Sequence, residues 1–385
     1  VTDLSTRVAP SALTRAAPAL LGYAAVRGLG LLTLALWSAG SGKSAYTLLT
    51  ARWDALWYTR VAELGYGYEV RLPNGDVHSN LAFFPLLPWL ERLVAAVTPL
   101  SYADAGFLVS LLASLAAAWG IFAVADHVYG RRAGVCAVLL WAVLPVGIVQ
   151  SMAYSESLFT ALAAWSLYAV LTGRWLTAGT LALLAGLTRP VGLAVVAAVW
   201  AAGITSIVRD RRAAPADRAR DSRRALGMLL APLGAAGYVL WVGHRTGGGP
   251  LGYLDVQAGW RNGFDGGYAF ARFVADKFTS IPSALAGLAL LAGVGLVVWL
   301  YLVCVRQRQP LALLVYAGVV TALALCASSY FGSKPRLLLP AFPLLFPPAL
   351  GLARLRTRRS AAVLALIAGA SALYGAFWLN GSGPP

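Results

Sequence analysis

Charge is scarce in this chain. Only 12% of its 385 residues are Asp, Glu, Lys or Arg, and the mean hydropathy is +0.70. Soluble domains carry roughly 25% charged residues, so a water-solvated surface over most of the chain is excluded. Cysteine is scarce too. Cys136, Cys304 and Cys326 lie in or beside apolar runs and form no CxxC pair, which excludes a disulfide framework and a zinc site of that kind. Histidine occurs three times. His78 stands alone beside Asp76 and His244 beside Arg245, both read as loop or headgroup contacts, so no His/Asp cluster at ligand spacing indicates a metal. The apolar segments also lack the alternation of a membrane β-barrel strand.

What the chain does have is apolar runs of about 17 to 25 residues, the length a helix needs to cross a bilayer. They fall near 18–39, 104–125, 133–150, 155–171, 175–188, 190–208, 225–243, 282–303, 310–329, 336–353 and 360–379. The fold class is therefore an all-α polytopic membrane protein, with about eleven spans expected. Residues 81–98 contain Pro85, Pro88 and Glu91-Arg92, and read as an amphipathic interfacial helix instead. No cleavable signal peptide is expected, because the first apolar stretch is long and follows a polar leader with Arg7 and Arg15.

The formal charge of +16 does not point to nucleic acid, because the arginines cluster in short loops between apolar runs. Such clustering orients a membrane protein and favours anionic lipids. With 81–98 not crossing, about 18 of the 31 basic residues share one side, seven of them in the loop 209–224. That side is the cytoplasm, which puts the N-terminus inside and the C-terminus outside. Residues 40–98 and 244–281 become two outer loops of a single domain, 1–385. Ten of the fifteen acidic residues fall on the outer side.

Carboxylates beside a membrane are costly unless they are used. In Arg52-Trp53-Asp54-Ala55-Leu56-Trp57-Tyr58, helical spacing gives Trp53, Trp57 and Val61 one apolar stripe and sets Asp54 and Tyr58 on the neighbouring face. Tyr154-Ser155-Glu156-Ser157 puts a second acid between two spans, either exposed or turned into a cavity. Arg189 sits in a Thr188-Arg189-Pro190 break, and Lys334 and Arg336 flank Pro335. Each cation is either a snorkelling anchor or a phosphate ligand. Gln257 and Trp260 in the second outer loop are candidates for sugar or acceptor contacts. A carboxylate, aromatics and three cations on one membrane face are what the transfer of a sugar from a lipid phosphate requires. The carboxylate takes the acceptor's proton and the cations stabilise the leaving phosphate. A transporter or flippase, with charges near the midplane, and a non-catalytic scaffold are the other readings.

Trp53-Asp54, Tyr66, Phe83-Phe84-Pro85, Tyr154-Ser155-Glu156-Ser157, Leu187-Thr188-Arg189-Pro190 and Pro335-Arg336 through Pro340 occur in an order that resembles the PIG-V-like mannosyltransferases. These belong to the GT-C glycosyltransferases, and the bacterial members most similar to this chain are actinobacterial. The resemblance runs from about residue 20 to 350. It implies an inverting transferase in the bacterial plasma membrane, acting on the extracytoplasmic face. The donor it implies is a polyprenyl- or dolichyl-phosphate-linked mannose; a glycan, glycolipid or protein hydroxyl is expected as the acceptor, and no cofactor is expected. By the resemblance Asp54 is the catalytic acid/base residue. Arg189, Lys334 and Arg336 are assigned to the donor phosphate by charge and position. Trp53, Tyr58, Tyr154, Glu156, Gln257 and Trp260 are substrate-pocket candidates.

Overall fold

The computed structural model of the chain describes residues 11–213 and 218–383. Arg7 and positions 214–217 of the basic loop lie outside the described residues. Helix α1 (Ala12–Gly40) starts where the Ser11 hydroxyl accepts the Thr14 N–H. After it come two short helices, α2 (Ala45–Thr50) and α3 (Asp54–Leu64), then an antiparallel hairpin. Its strands β1 (Glu69–Arg71) and β2 (Val77–Ser79) pair Val70 with His78. The turn between them uses Gly75 at φ +88°, a conformation that suits glycine. The amphipathic segment is helical as α4 (Leu86–Val97), and at 12 residues it is too short to cross a bilayer.

The helical bundle continues with α5 (Tyr102–Tyr129), α6 (Arg131–Ala142), α7 (Ser155–Leu171), α8 (Trp175–Gly186) and α9 (Leu193–Ala213). Its second half holds α10 (Arg218–Leu230), α11 (Leu233–Thr246), α12 (Gly252–Gly259), α13 (Tyr268–Asp276) and α14 (Ile281–Arg306). The last elements are α15 (Leu311–Cys326), α16 (Lys334–Leu337), α17 (Phe346–Arg354) and α18 (Thr357–Leu379). Six helices among the described residues are long and apolar enough to span: α1, α5, α14, α18, the segment Pro190–Arg212 and the segment Asp221–Thr246. The apolar helices α7, α8 and α15 are shorter.

Besides 225–243, which a turn at Ala231-Pro232 divides between α10 and α11, two expected spans are not continuous helices. The run 133–150 is α-helical only as far as Ala142, because Pro145 and Gly147 break it, and a 3-10 helix, Gly147–Ser151, carries the chain on toward Tyr154. The run 336–353 breaks between Leu337 and Phe342, around Pro340, and the halves on either side, Phe331–Leu337 and Phe342–Arg354, meet at 75°. Counted as one broken span, that pair makes a seventh. Free backbone groups at such breaks need partners when water is excluded. Arg27 of α1, itself buried, donates to the carbonyls of Ala142 and Gly147. Trp141 Nε1 donates to Leu339 O at 3.1 Å, and the Tyr316 hydroxyl to Pro340 O at 2.9 Å. Trp141 and Tyr316 also belong to the main core, where Trp141 stacks on Tyr23 at 5.5 Å between ring centres.

Candidate active site

The two breaks, α3 and the start of α9 meet at one end of the bundle, where they carry four charged side chains to the head of a cavity. Asp54 is the first residue of α3, where a carboxylate suits the positive end of the helix dipole. One turn on, Tyr58 presents to the same cavity. Trp53, just before, holds φ +51° and ψ −125°, a strained backbone for a side-chain-bearing residue. It lies outside α3, so the expected apolar stripe lacks its first member. Its ring lies 3.9 Å beneath the Arg52 guanidinium and does not line the cavity.

The short link between the 3-10 helix Gly147–Ser151 and α7 is pinned by Ala153 N–H to Leu49 O at 3.0 Å and by the Ser110 hydroxyl to Tyr154 O at 2.9 Å. It delivers Glu156 in the first turn of α7, 1% exposed and facing the cavity. Arg189 lies in the break between α8 and α9, where Leu86 N–H bonds the neighbouring Leu187 carbonyl at 3.0 Å. Arg336 sits on the four-residue helix α16.

These four form an alternating chain of charge. Arg336 Nη1 donates to Asp54 Oδ2 at 2.7 Å, and its Nε stands 3.3 Å from Glu156 Oε1. Glu156 Oε1 also pairs with Arg189. Arg189 Nη1 reaches Ser155 Oγ at 3.3 Å, and Ser155 shares a 2.7 Å hydrogen bond with the Tyr58 hydroxyl. Burial raises the Tyr58 phenol well above its ordinary range, so it is a neutral group at physiological pH. Two carboxylates and two guanidiniums cancel, which keeps a buried charge cluster tolerable. Neither Glu156 oxygen accepts a well-aligned hydrogen bond among the described residues, and neither does Arg336 Nε find an aligned acceptor.

The cavity holds about 580 Å³. Besides the charged head, the cavity is lined by an aromatic and amide group, His78, Phe83, Gln257, Trp260 and Asn262, and by an apolar group, Val191, Val320, Leu323, Leu337 and Pro340. Trp260 stacks on His78 at 4.0 Å and meets Trp57 edge-on at 4.8 Å. Burial against this stack lowers the His78 pKa. Gln257 is committed within the wall, donating to the Tyr253 hydroxyl and accepting from Asn262 Nδ2 at 3.0 Å.

Of the residues singled out from sequence, Asp54, Tyr58, Glu156, Arg189, Arg336, Gln257 and Trp260 line this one cavity. Three do not. Trp53 packs inward, and Tyr154 is buried beneath Arg336, whose guanidinium lies 5.1 Å from its ring centre. Lys334 turns away from the cavity and donates to the carbonyls of Ala324 and Ala327 at 2.9 and 2.8 Å, with Leu325 O at 3.3 Å. It closes the end of α15 and is not on hand for a phosphate. His78 was read as a loop or headgroup contact, yet it belongs to the cavity wall, as does Asn262, which carried no signal in sequence.

Residues 41–210 match the family model of the mannosyltransferase (PIG-V) proteins. No curated protein matches the chain. Among solved structures, ArnT from Cupriavidus metallidurans matches in the apo state with TM-score 0.50 at 16% identity, over 89% of this chain and 57% of that one. ArnT bound to undecaprenyl phosphate matches with TM-score 0.52 at 16% identity, over 90% of this chain and 62% of that one. The oligosaccharyltransferase AglB from Archaeoglobus fulgidus, in complex with an inhibitory peptide and a dolichol-phosphate, matches at TM-score 0.49 and 12% identity, over 94% and 56%. The chain thus spans about three-fifths of the length of the ArnT structures it matches. It is a multi-pass membrane protein whose residues 41–210 match the PIG-V mannosyltransferase family model and whose fold is similar to that of ArnT.

Proposed function

We propose that this protein is a membrane glycosyltransferase that moves a mannosyl residue from a polyprenyl-phosphate-linked donor to a hydroxyl of a glycan, glycolipid or protein. The transfer takes place on the extracytoplasmic face, with inversion. The observation that carries this reading is the Asp54–Arg336–Glu156–Arg189 cluster at the head of a cavity with one apolar wall. The guanidiniums suit a phosphate, which they bind through paired N–H donors, and the apolar wall suits the first isoprene units of the carrier. A lipid-phosphate ligand in a protein of similar fold, the ArnT structure holding undecaprenyl phosphate, agrees with this assignment.

In the transfer step Asp54 accepts the proton of the acceptor hydroxyl. The acceptor oxygen bonds to the anomeric carbon, the bond from that carbon to the phosphate oxygen breaks, and the electron pair leaves with the phosphate. A single displacement of this kind inverts the anomeric centre. The phosphate is a good leaving group, so one carboxylate acting as base suffices, while Arg189 and Arg336 receive the developing charge. The gap between Asp54 and Glu156 is filled by the Arg336 guanidinium, which supplies at that point the positive charge a divalent cation would bring. Transfer is accordingly expected to persist in excess EDTA, and loss that magnesium or manganese restores would refute this part.

The test of the function is transfer from synthetic polyprenyl-phosphate-mannose by purified protein. Asp54→Asn should lower the rate by about 10²–10⁴ while leaving folded protein in the membrane. A wild-type rate in that variant removes Asp54 from the mechanism.

A further inference from the structure

Arg336 is held by two carboxylates that differ in kind. Glu156 is 1% exposed and meets the Nε edge, whereas Asp54 keeps 25% of its side chain exposed to the cavity and takes Nη1 at 2.7 Å. The lone pair of Asp54 Oδ2 that points at Nη1 is engaged, and an acceptor hydroxyl cannot use it while that bond stands. Nη1, the donor to Asp54, lies on the side of the guanidinium away from the Nε edge that meets Glu156, and the face of the group lies over Tyr154.

We propose that Arg336 is shared. In the resting site it covers Asp54; an arriving lipid phosphate takes Nη1, and Asp54 becomes free to receive the acceptor's proton. Glu156 retains the Nε edge throughout, so the guanidinium swings between partners without leaving the site. This inference rests on the reading that the cavity takes a lipid phosphate. Its consequence is an order of events: Asp54 Oδ2 is released, and the carboxylate loses its paired cation and becomes more basic, only when the donor is in place. The charges fit such an exchange. The resting cluster is neutral, two carboxylates against two guanidiniums, and a phosphodiester donor adds one negative charge. During transfer the departing phosphate gains a negative charge as Asp54 gains a proton, so the total in the cavity stays constant.

The proposal makes a prediction opposite to that for an ordinary binding residue: loss of the base should tighten lipid-phosphate binding. The probe is a polyprenyl phosphate without sugar, titrated against the full chain in nanodiscs. Asp54→Asn and Asp54→Ala should each bind it about tenfold more tightly than wild type, equivalent to about 1.4 kcal/mol, although transfer is lost. Both variants leave Arg336 paired with Glu156, so neither strands a buried charge, and two substitutions guard against one that does not fold. The gain should vanish when Arg336→Ala is combined with either, because the competition then has no subject. In a Glu156→Gln background, which unfastens the Nε edge, the gain should shrink to below about threefold. Equal or weaker binding in both Asp54 variants overturns the exchange, as does a gain that survives Arg336→Ala. A full tenfold gain in the Glu156→Gln background overturns the part assigned to Glu156. Absence of saturable binding by wild type and all variants instead overturns the proposed function itself.

Discussion

Lys334 and Arg336 stand two positions apart on one short helix, and their charges do different work. The ammonium of Lys334 is enclosed by three carbonyls near the end of α15 and by the rings of Phe270 and Phe331, 4.6 and 5.5 Å away. The guanidinium of Arg336 faces the opposite way, into the cavity. Lys334→Met should therefore cost stability, about 1–3 kcal/mol for the carbonyls left without a donor, while the dependence of transfer on donor concentration stays near wild type. A melting curve and a donor titration separate the two effects; a raised KM with unchanged stability would return Lys334 to the phosphate. Proximity in sequence made the two look equivalent. Only the direction of each side chain on α16 distinguishes them, and a charge and a position number do not encode that direction.

Helix α4 gives the same lesson at the scale of an element. Its amphipathic pattern was legible, but the face carrying Glu91 is turned into the protein while Trp89, Leu93 and Val97 are exposed. Glu91 is packed against Gly106 of α5, and neither of its oxygens has a hydrogen-bond partner among the described residues. Burial raises its carboxyl well above the usual carboxylate range. The folded state thus holds a proton that the unfolded chain releases above its ordinary pKa of about 4.5. Stability is full below that pH and declines as pH rises toward the folded pKa. The melting temperature should fall between pH 5 and 8 in wild type and change little in Glu91→Gln; parallel profiles for the two would refute the assignment. Periodicity tells which residues share a face, and only packing decides which face meets protein and which meets lipid.

Close approach of backbones is another property of elements. Helices α8, α10 and α11 touch through glycine, where a methyl on Gly227 would run into the Trp175 carbonyl and one on Gly234 into the Leu183 carbonyl. Backbone cannot yield as a side-chain tip can, so Gly234→Ala should cost about 1–3 kcal/mol. Gly237→Ala, on the same helix with open space around it, should be neutral or stabilising, by up to about 1 kcal/mol from helix propensity. Equal melting temperatures for the two variants would count against the close contact.

For the whole molecule, the arrangement of arginines predicts orientation. With the basic loops inside, an Asn74→Cys thiol at the hairpin tip should react with an impermeant maleimide added to intact cells, and an Arg308→Cys thiol should react only after the membrane is opened. Cys136 and Cys304 are buried, and Cys326→Ala removes the partly exposed background thiol. Labelling of both new thiols, or of position 308 alone, in intact cells would reverse the assignment.

Much of this was determined by the sequence alone. Membrane insertion, helical structure, the amphipathic helix within 81–98 and the grouping of acids with Arg189 and Arg336 follow from hydropathy, periodicity and charge, which are properties of short stretches read without their neighbours. The tertiary structure decided the rest. It broke 133–150 and 336–353, where prolines interrupt the helix and Arg27, Trp141 and Tyr316 satisfy the freed carbonyls. It drew His78 and Asn262 into the cavity wall and turned Lys334 out of it. It also joined Asp54 to Arg336 across 282 positions. A contact at that separation depends on how many helices pack between its ends, and no local pattern along the chain carries that information.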